Sequence, residues 1–455
     1  MVFMNVEEWG QLLYQYDIYL NIFVLLAFLF FAILSWYYIG YFFLALQKAK
    51  KFPKGEKQYK FAILVPARNE DKVIGNLLKS LKKQDYPKDK FDVFVIVESK
   101  DDPTIKLTEK AGYKVIIRKD LINKRTKGYA LDEAYQFIKN NNLEYDAFMI
   151  FDADNIVNSD YISLMNDVKN QGYKVGTGYR NFTNATTNWV TGCSAVLFSF
   201  MNQFTSNGRS KIFKKATLTG TGYYVDKDIV DDAGGWIWDG MTEDVEMTAY
   251  CYYHNISMIY YNFAQYFDEQ SSQYRVLHKQ HIRWVWGFFG NKKPYTSRKP
   301  DYKALPKWMV WFSLFEYNIS IYPFVTFCIM ETLAFLMSFI IFIGGIVLAC
   351  LSPAYVSQLP MFFGFAVLFF MYIYGTFMIA AGITFIIDNK RLKFPPGKVI
   401  VSIISYMFFF MDFVFAFFDG LFHKKKRKSW DKIEHSGDVV DLEAQKALNA
   451  KKKKR

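Results

Sequence analysis

The chain has 455 residues, of which 52% are hydrophobic and 19% aromatic, and a formal net charge of +13; it is longer than one ordinary domain and more apolar than a soluble one needs to be. Its four cysteines, Cys193, Cys251, Cys328 and Cys350, have no paired spacing, which excludes a disulfide framework and a zinc knuckle. The basic residues cluster beside apolar blocks, at 48–51, 390–398, 423–428 and 451–455, so the charge reads as facing anionic cytoplasmic lipid and no nucleic acid partner is expected.

In chain order, residues 1–17 carry Glu7, Glu8 and Asp17 and read as an external N-terminus. The apolar block 18–46 is long enough to cross a bilayer, and Lys48, Lys50 and Lys51 follow it in place of a small-residue cleavage site. It therefore reads as a retained anchor that leaves the next segment inside. Residues 47–301 have the charges, turns and short strands of a folded cytosolic domain. The β-rich runs 61–65, 92–97, 113–117, 146–151 and 174–179 are separated by helix-like stretches at 72–83, 104–111 and 129–140. This alternation predicts an α/β sheet with crossover helices, whose ligands bind outside the carboxyl ends of the strands.

Residues 302–324, interrupted by Glu316 and Pro323, read as an interfacial region, 325–422 as transmembrane or interfacial helices, and 423–455 as a basic cytosolic tail. If 399–422 crosses fully, the basic end falls outside, against the positive-inside tendency, so one of these segments is not a simple span. Glu316, Tyr317, Asn318, Tyr322, Glu331, Asp412 and Asp419 interrupt the apolar segments. Intramembrane carboxylates point to a cavity, and Glu331 and Asp412 are its candidate lining.

Three constellations carry chemistry. Ile150-Phe151-Asp152-Ala153-Asp154-Asn155 ends an apolar strand; Asp152 and Asp154 supply the oxygen ligands that Mg²⁺ or Mn²⁺ shares with a diphosphate, although aspartates after a strand also serve simply as turn formers. Thr242-Glu243-Asp244 follows a Gly- and Trp-rich segment; it suits a general base beside an acceptor hydroxyl, or a helix start with Thr242 as N-cap. In Gln280-His281-Ile282-Arg283-Trp284, the arginine suits a diphosphate and the indole a sugar face, and the same pair also anchors proteins at membrane interfaces. His278 and His281, one helical turn apart without a third ligand at matching spacing, read as surface or packing residues.

The order of these pieces, with Val65-Pro66-Ala67-Arg68-Asn69-Glu70 after the first strand, resembles the processive family 2 glycosyltransferases, a group that includes cellulose, hyaluronan, chitin and poly-N-acetylglucosamine synthases. The resemblance implies an α/β GT-A, Rossmann-like cytosolic domain combined with transmembrane and interfacial helices, in a multi-pass plasma-membrane hexosyltransferase. It implies a UDP-sugar donor bordered by Pro66, Ala67, Glu70 and Glu98, with Lys127 approaching the diphosphate and Asp152 and Asp154 handling the UDP–metal complex. Asp244, with Glu243 beside it, is the implied catalytic pair. Gln280 and Arg283 close over the donor, while Trp284, Thr242 and Gly220 border the acceptor.

The implied activity is inverting, processive β-transfer from UDP-glucose or UDP-N-acetylglucosamine onto a growing polysaccharide that is secreted. Membrane lipid is a further partner, and an accessory membrane subunit or a second copy of the chain is left open. Two departures stand out: Glu98 replaces the usual aspartate, and Leu218-Thr219-Gly220-Thr221-Gly222 replaces the Cys-Gly version found in cellulose and chitin synthases. The competing expectations are a non-processive glycolipid synthase and a non-catalytic transporter or scaffold.

Overall fold

The computed structural model describes residues 50–121, 126–290 and 359–423, with isolated positions at 26, 43 and between 340 and 356. Apart from Leu26, Phe43 and those isolated positions, the expected anchor at 18–46, the region 302–358 with Glu316 and Glu331, and the tail from 424 onward lie outside the described residues.

The first half alternates as the sequence predicts. β1 (Phe61–Pro66), β2 (Phe91–Val97), β3 (Lys114–Ile117) and β4 (Ala147–Ile150) are interleaved with α1 (Ile74–Lys82), α2 (Thr104–Lys110) and α3 (Lys127–Asn140). The run from Phe61 to Val65 is entirely buried, as a strand covered by helices on both faces must be. β1 pairs in parallel with β2 (Phe61 opposite Phe91) and with β4 (Phe61 opposite Ala147), and β2 pairs in parallel with β3. The carboxyl ends of these strands therefore share one edge.

The second half contains β5 (Ile156–Val157), α4 (Tyr161–Asn170), β6 (Val175–Phe182), α5 (Trp189–Phe200), a π-helical turn (Met201–Ser206) and α6 (Asn207–Phe213). These are followed by β7 (Tyr223–Asp226), α7 (Lys227–Asp232), α8 (Glu243–Tyr253), β8 (Met258–Asp268) and α9 (Tyr274–Gly290). The eight strands form one sheet in the order β3-β2-β1-β4-β7-β6-β8-β5. β7 runs antiparallel to both β4 and β6, which places the 218–222 loop next to the end of β4. Gly222 accepts this position because its φ is +63° and an added Cβ would lie 2.0 Å from the Tyr266 ring.

Two apolar helices complete the described chain. α10 (Leu359–Leu392) has 34 residues and α11 (Pro396–Phe422) has 27. Only the turn at 393–395 separates them, with Lys393 at φ 58° and Pro395 closing it. α11 begins with a proline where no helical N–H is lost. Among the described residues it is the helix long and apolar enough to cross a membrane. Residues 388–391, at the start of the basic cluster, continue α10 as helix. The reason is local: the buried Asp388 carboxylate accepts hydrogen bonds from Tyr179, Ser199 and Gln203, fastening the helix end to β6, α5 and the π turn. An apolar cluster of α5, α9, α10 and α11 side chains, among them Phe198, Leu277, Phe385, Phe409 and Phe413, fills the space between them.

Candidate active site

β4 ends at Ile150, and its edge partner continues past the strand: the Gly222 amide donates to the Ile150 carbonyl at 2.9 Å. The Asp152 amide then donates to the Thr221 hydroxyl at 2.9 Å, so the turn carrying the two aspartates is held by the 218–222 loop. Asn155 sits at the centre of this support and is wholly buried. Its Oδ1 accepts from Thr221, and its Nδ2 donates to Asp268 at 3.0 Å. Asp268, at the end of β8, also takes Arg180 of β6, whose Nη1 donates to the Thr219 carbonyl at 2.8 Å. This scaffold lets Asp152 keep a partly exposed carboxylate while its backbone is immobile.

Two elements bring acidic groups around one cation. Lys127 opens α3, and its ammonium pairs with Asp152, donates to the Gly220 carbonyl at 2.7 Å and lies 3.8 Å from Glu243. A buried ammonium needs such company. Burial works to lower the Lys127 pKa, but the fields of Asp152, Glu243 and Asp244 outweigh it and hold the group charged. Gly128 makes the approach possible, since a Cβ there would lie 2.0 Å from the Trp238 carbonyl.

The carboxylates of α8 differ in access. Glu243 is buried, and desolvation, reinforced by Asp244 and opposed by Lys127, pushes its pKa up. Asp244 is partly exposed, and its Oδ2 lies 3.8 Å from where a Cβ on Gly220 would be. Burial also raises the Asp244 pKa, against backbone N–H groups at the helix start and the cations Lys127 and Arg180. A carboxylate tuned upward yet reachable is suited to accepting a proton. Thr242 precedes α8 as expected, but its side chain makes no capping hydrogen bond.

The Gln280-x-x-Arg283-Trp284 segment lies on α9. Gly287, one turn beyond Arg283, abuts the segment that leads into α8: a Cβ there would fall 2.8 Å from Thr242 Cγ2 and 3.2 Å from Met241 Cβ. Gln280 Oε1 is buried without a hydrogen-bond partner. Trp284 packs edge-on to Phe198 at 6.0 Å and parallel to Phe413 at 6.3 Å, keeping partial exposure. The β1 loop forms the remaining border. Asn69 adopts φ 53° there, with its amide on Asp102, while the Glu70 amide is bound by Thr104. Pro66 is partly exposed and Ala67 is buried, its amide on the Ile96 carbonyl. Glu98 is held between Arg68 at 3.0 Å and Arg118 at 3.5 Å.

Several residues escaped the sequence reading. Arg180, Asp268 and Tyr223 support or border the site without a recognisable spacing, while Asn155 stands inside the aspartate motif as its support; Tyr223, fully buried, has a hydroxyl with no partner. Asp412 is a correction. Expected to line a cavity, it is buried in the α9–α11 contact, where it binds Tyr274, His278 and His281. The two histidines are thus packing residues, as expected, but with a carboxylate between them.

The sequence model described as "Glycosyltransferase like family 2" matches residues 58–287, half of the chain and all of the elements just described up to α9. The chain belongs to glycosyltransferase family 2. It is 27% identical over 292 residues to a probable glycosyltransferase, YdaM, of Bacillus subtilis, covering 61% of this chain and 66% of that protein. It is 26% identical over 235 residues to the β-monoglucosyldiacylglycerol synthase of Nostoc sp., covering 50% of this chain and 48% of that one. The chain thus spans about half to two thirds of the curated relatives it matches. Among solved structures, a mannosyltransferase from Pyrobaculum calidifontis in complex with GDP-Man and Mn²⁺ superposes with a TM-score of 0.49 at 13% identity, covering 87% of this chain and 99% of that one.

Among the described residues no three His, Cys, Asp or Glu side chains are grouped to hold a metal ion by themselves. Asp152 and Asp154 provide hard oxygen donors two residues apart on a braced turn. That donor set fits a family 2 site in which Mg²⁺ or Mn²⁺ takes its remaining ligands from the donor diphosphate and water.

Proposed function

We propose that this family 2 enzyme is embedded in the plasma membrane with its catalytic domain in the cytoplasm, and that it transfers hexose from UDP-glucose or UDP-N-acetylglucosamine with inversion, extending a β-linked polysaccharide that leaves the cell. The observation that carries this reading is the meeting of Asp152, Glu243 and Asp244 at Lys127, beside a helix bearing Gln280 and Arg283 that packs directly on the apolar α11.

Pro66, Ala67, Glu70 and Glu98 border the nucleoside, and Lys127 and Arg283 balance the diphosphate charge. Asp152 and Asp154 would hold Mg²⁺ or Mn²⁺, which when bound neutralises charge on the departing diphosphate. Asp244 takes the proton from an acceptor hydroxyl, whose oxygen bonds to C1 of the sugar as the bond from C1 to the diphosphate breaks and UDP leaves with its electrons. A single displacement inverts an α-linked donor to a β-linked product. Gly220, Thr242 and the exposed part of Trp284 border the acceptor, and Gln280 Oε1 offers its unused acceptor capacity to a hydroxyl.

The apolar faces of α10 and α11, with Phe363, Met371, Ile386, Phe408 and Phe422 exposed, would meet lipid. A second reading, single transfer to a membrane lipid, is favoured by the similarity to the β-monoglucosyldiacylglycerol synthase of Nostoc sp.. Protein reconstituted in lipid with Mg²⁺ or Mn²⁺ and each UDP-sugar in turn decides between them. Polymer on a gel, cut by linkage-specific hydrolases, supports the first reading. One sugar on a lipid replaces it with the second, and no UDP release with any donor refutes both.

A further inference from the structure

α9 presents two opposed stripes. Tyr274, His278 and His281 are spaced by four and three residues and so lie on one face, whereas Gln280, Arg283 and Gly287 are spaced by three and four and lie on another. At about 100° per residue the step from His281 to Arg283 is about 200°, so the stripes face nearly opposite ways. The first stripe meets two carboxylates on α11: His278 Nε2 lies 3.3 Å from Asp419 Oδ2, and all three residues meet Asp412. The buried Asp412 carboxylate accepts from Tyr274 Oη on Oδ1, lies 2.7 Å from His278 Nδ1 through the same oxygen, and 2.6 Å from His281 Nδ1 through Oδ2. The second stripe meets the Met241 and Thr242 segment that leads into α8, immediately before the catalytic carboxylates, where Gly287 has no room for a side chain. Trp286 adds a third tie, donating to the Phe417 carbonyl at 3.1 Å.

From this arrangement we propose that Asp412 is a positioning residue for glycosyl transfer. By fixing the rotation of α9 about its own axis it holds Gln280 and Arg283 over the reacting atoms, so that the apolar helix α11 forms part of the catalytic frame. The inference rests on the functional reading above. Three bonds to one carboxylate from three successive turns of a helix leave that helix little freedom to roll, and a roll of one stripe carries the opposite stripe with it. Asp412 touches neither donor nor acceptor, and its effect passes entirely through α9.

The test uses the full chain in lipid. Asp412→Asn loses the acceptor oxygen that one of the donors requires, and Tyr274→Phe removes a single bond while leaving the ring in place. Expected for Asp412→Asn is a fall in kcat of about 10- to 100-fold, the scale of a misplaced catalytic contact, with a smaller loss of UDP affinity, since Arg283 shifts while Lys127 and Asp152 stay in place; Tyr274→Phe falls less. In a Gln280→Ala background the same Asp412→Asn change is expected to cost markedly less than it does alone, since what it positions is already gone. Fully additive effects, or equal losses of UDP affinity and kcat, would assign Asp412 to general stability and overturn the proposal. If Asp412→Asn does not fold, the Tyr274→Phe and Gln280→Ala pair gives the same comparison. Wild-type protein that releases no UDP would instead refute the functional reading.

Discussion

Gly287→Ala is the substitution whose effect follows most directly from the geometry. The new methyl would sit 2.8 Å from Thr242 Cγ2, about 0.6 Å short of the 3.4 Å at which contact becomes ordinary, with Met241 Cβ and Thr242 Oγ1 both at 3.2 Å on the same side. Thr242 is itself buried, so it has little space to yield, and overpacking of this kind costs about 1–3 kcal/mol. The cheapest relief is a shift of α9 away from the segment that leads into α8, which displaces Gln280 and Arg283 from the places proposed for them. A displacement of that order is expected to lower kcat/KM by about 10- to 100-fold. UDP release in lipid gives the rate and thermal unfolding gives the stability. Gly75→Ala is the control: a Cβ there meets nothing within 4 Å, so it leaves the rate unchanged and adds up to about 1 kcal/mol of stability. A Gly287→Ala enzyme with wild-type kcat/KM would refute the claim that α9 must pack this closely on Thr242.

Lys127→Met removes the cation that lowers the pKa of both Glu243 and Asp244. Because Asp244 must be ionised to accept a proton, the acid limb of kcat/KM moves to higher pH and the plateau falls; an unmoved limb in a pH–rate profile counts against Lys127 as their shared counterion. Gly128→Ala sets a Cβ 2.0 Å from the Trp238 carbonyl, a backbone atom, and is expected to cost about 1–3 kcal/mol, read as a lower melting temperature together with loss of activity. Chelation of divalent metal is expected to abolish UDP release, and added Mg²⁺ or Mn²⁺ to restore it; full activity in chelator would remove the metal role of Asp152 and Asp154.

The parallel half of the sheet was legible because its strands are uninterrupted apolar runs ended by polar motifs, and β1 to β4 all begin and end within about two residues of the expected bounds. Of the other half only β6 was legible, from the run at 174–179. β7 has only four residues, and β8 carries Asn262, Gln265 and Asp268 among its aromatics, so neither gives a clear period. The acidic residues and the Gln-x-x-Arg-Trp segment could be read from their order along the chain. Their supports could not. Asp268 reaches Arg180 across 88 residues and Asp412 reaches His281 across 131, and nothing local marks such partners. Asp412 was read as cavity lining because a carboxylate in an apolar helix is costly; three donors from a neighbouring helix meet that cost equally well.

The most direct test of the account is the rate of UDP release from a UDP-hexose by reconstituted wild-type protein and by Asp244→Asn. The account predicts a fall of about 10²- to 10⁴-fold, the usual contribution of a general base, with UDP still bound and the fold intact. Equal rates in the two proteins would contradict it.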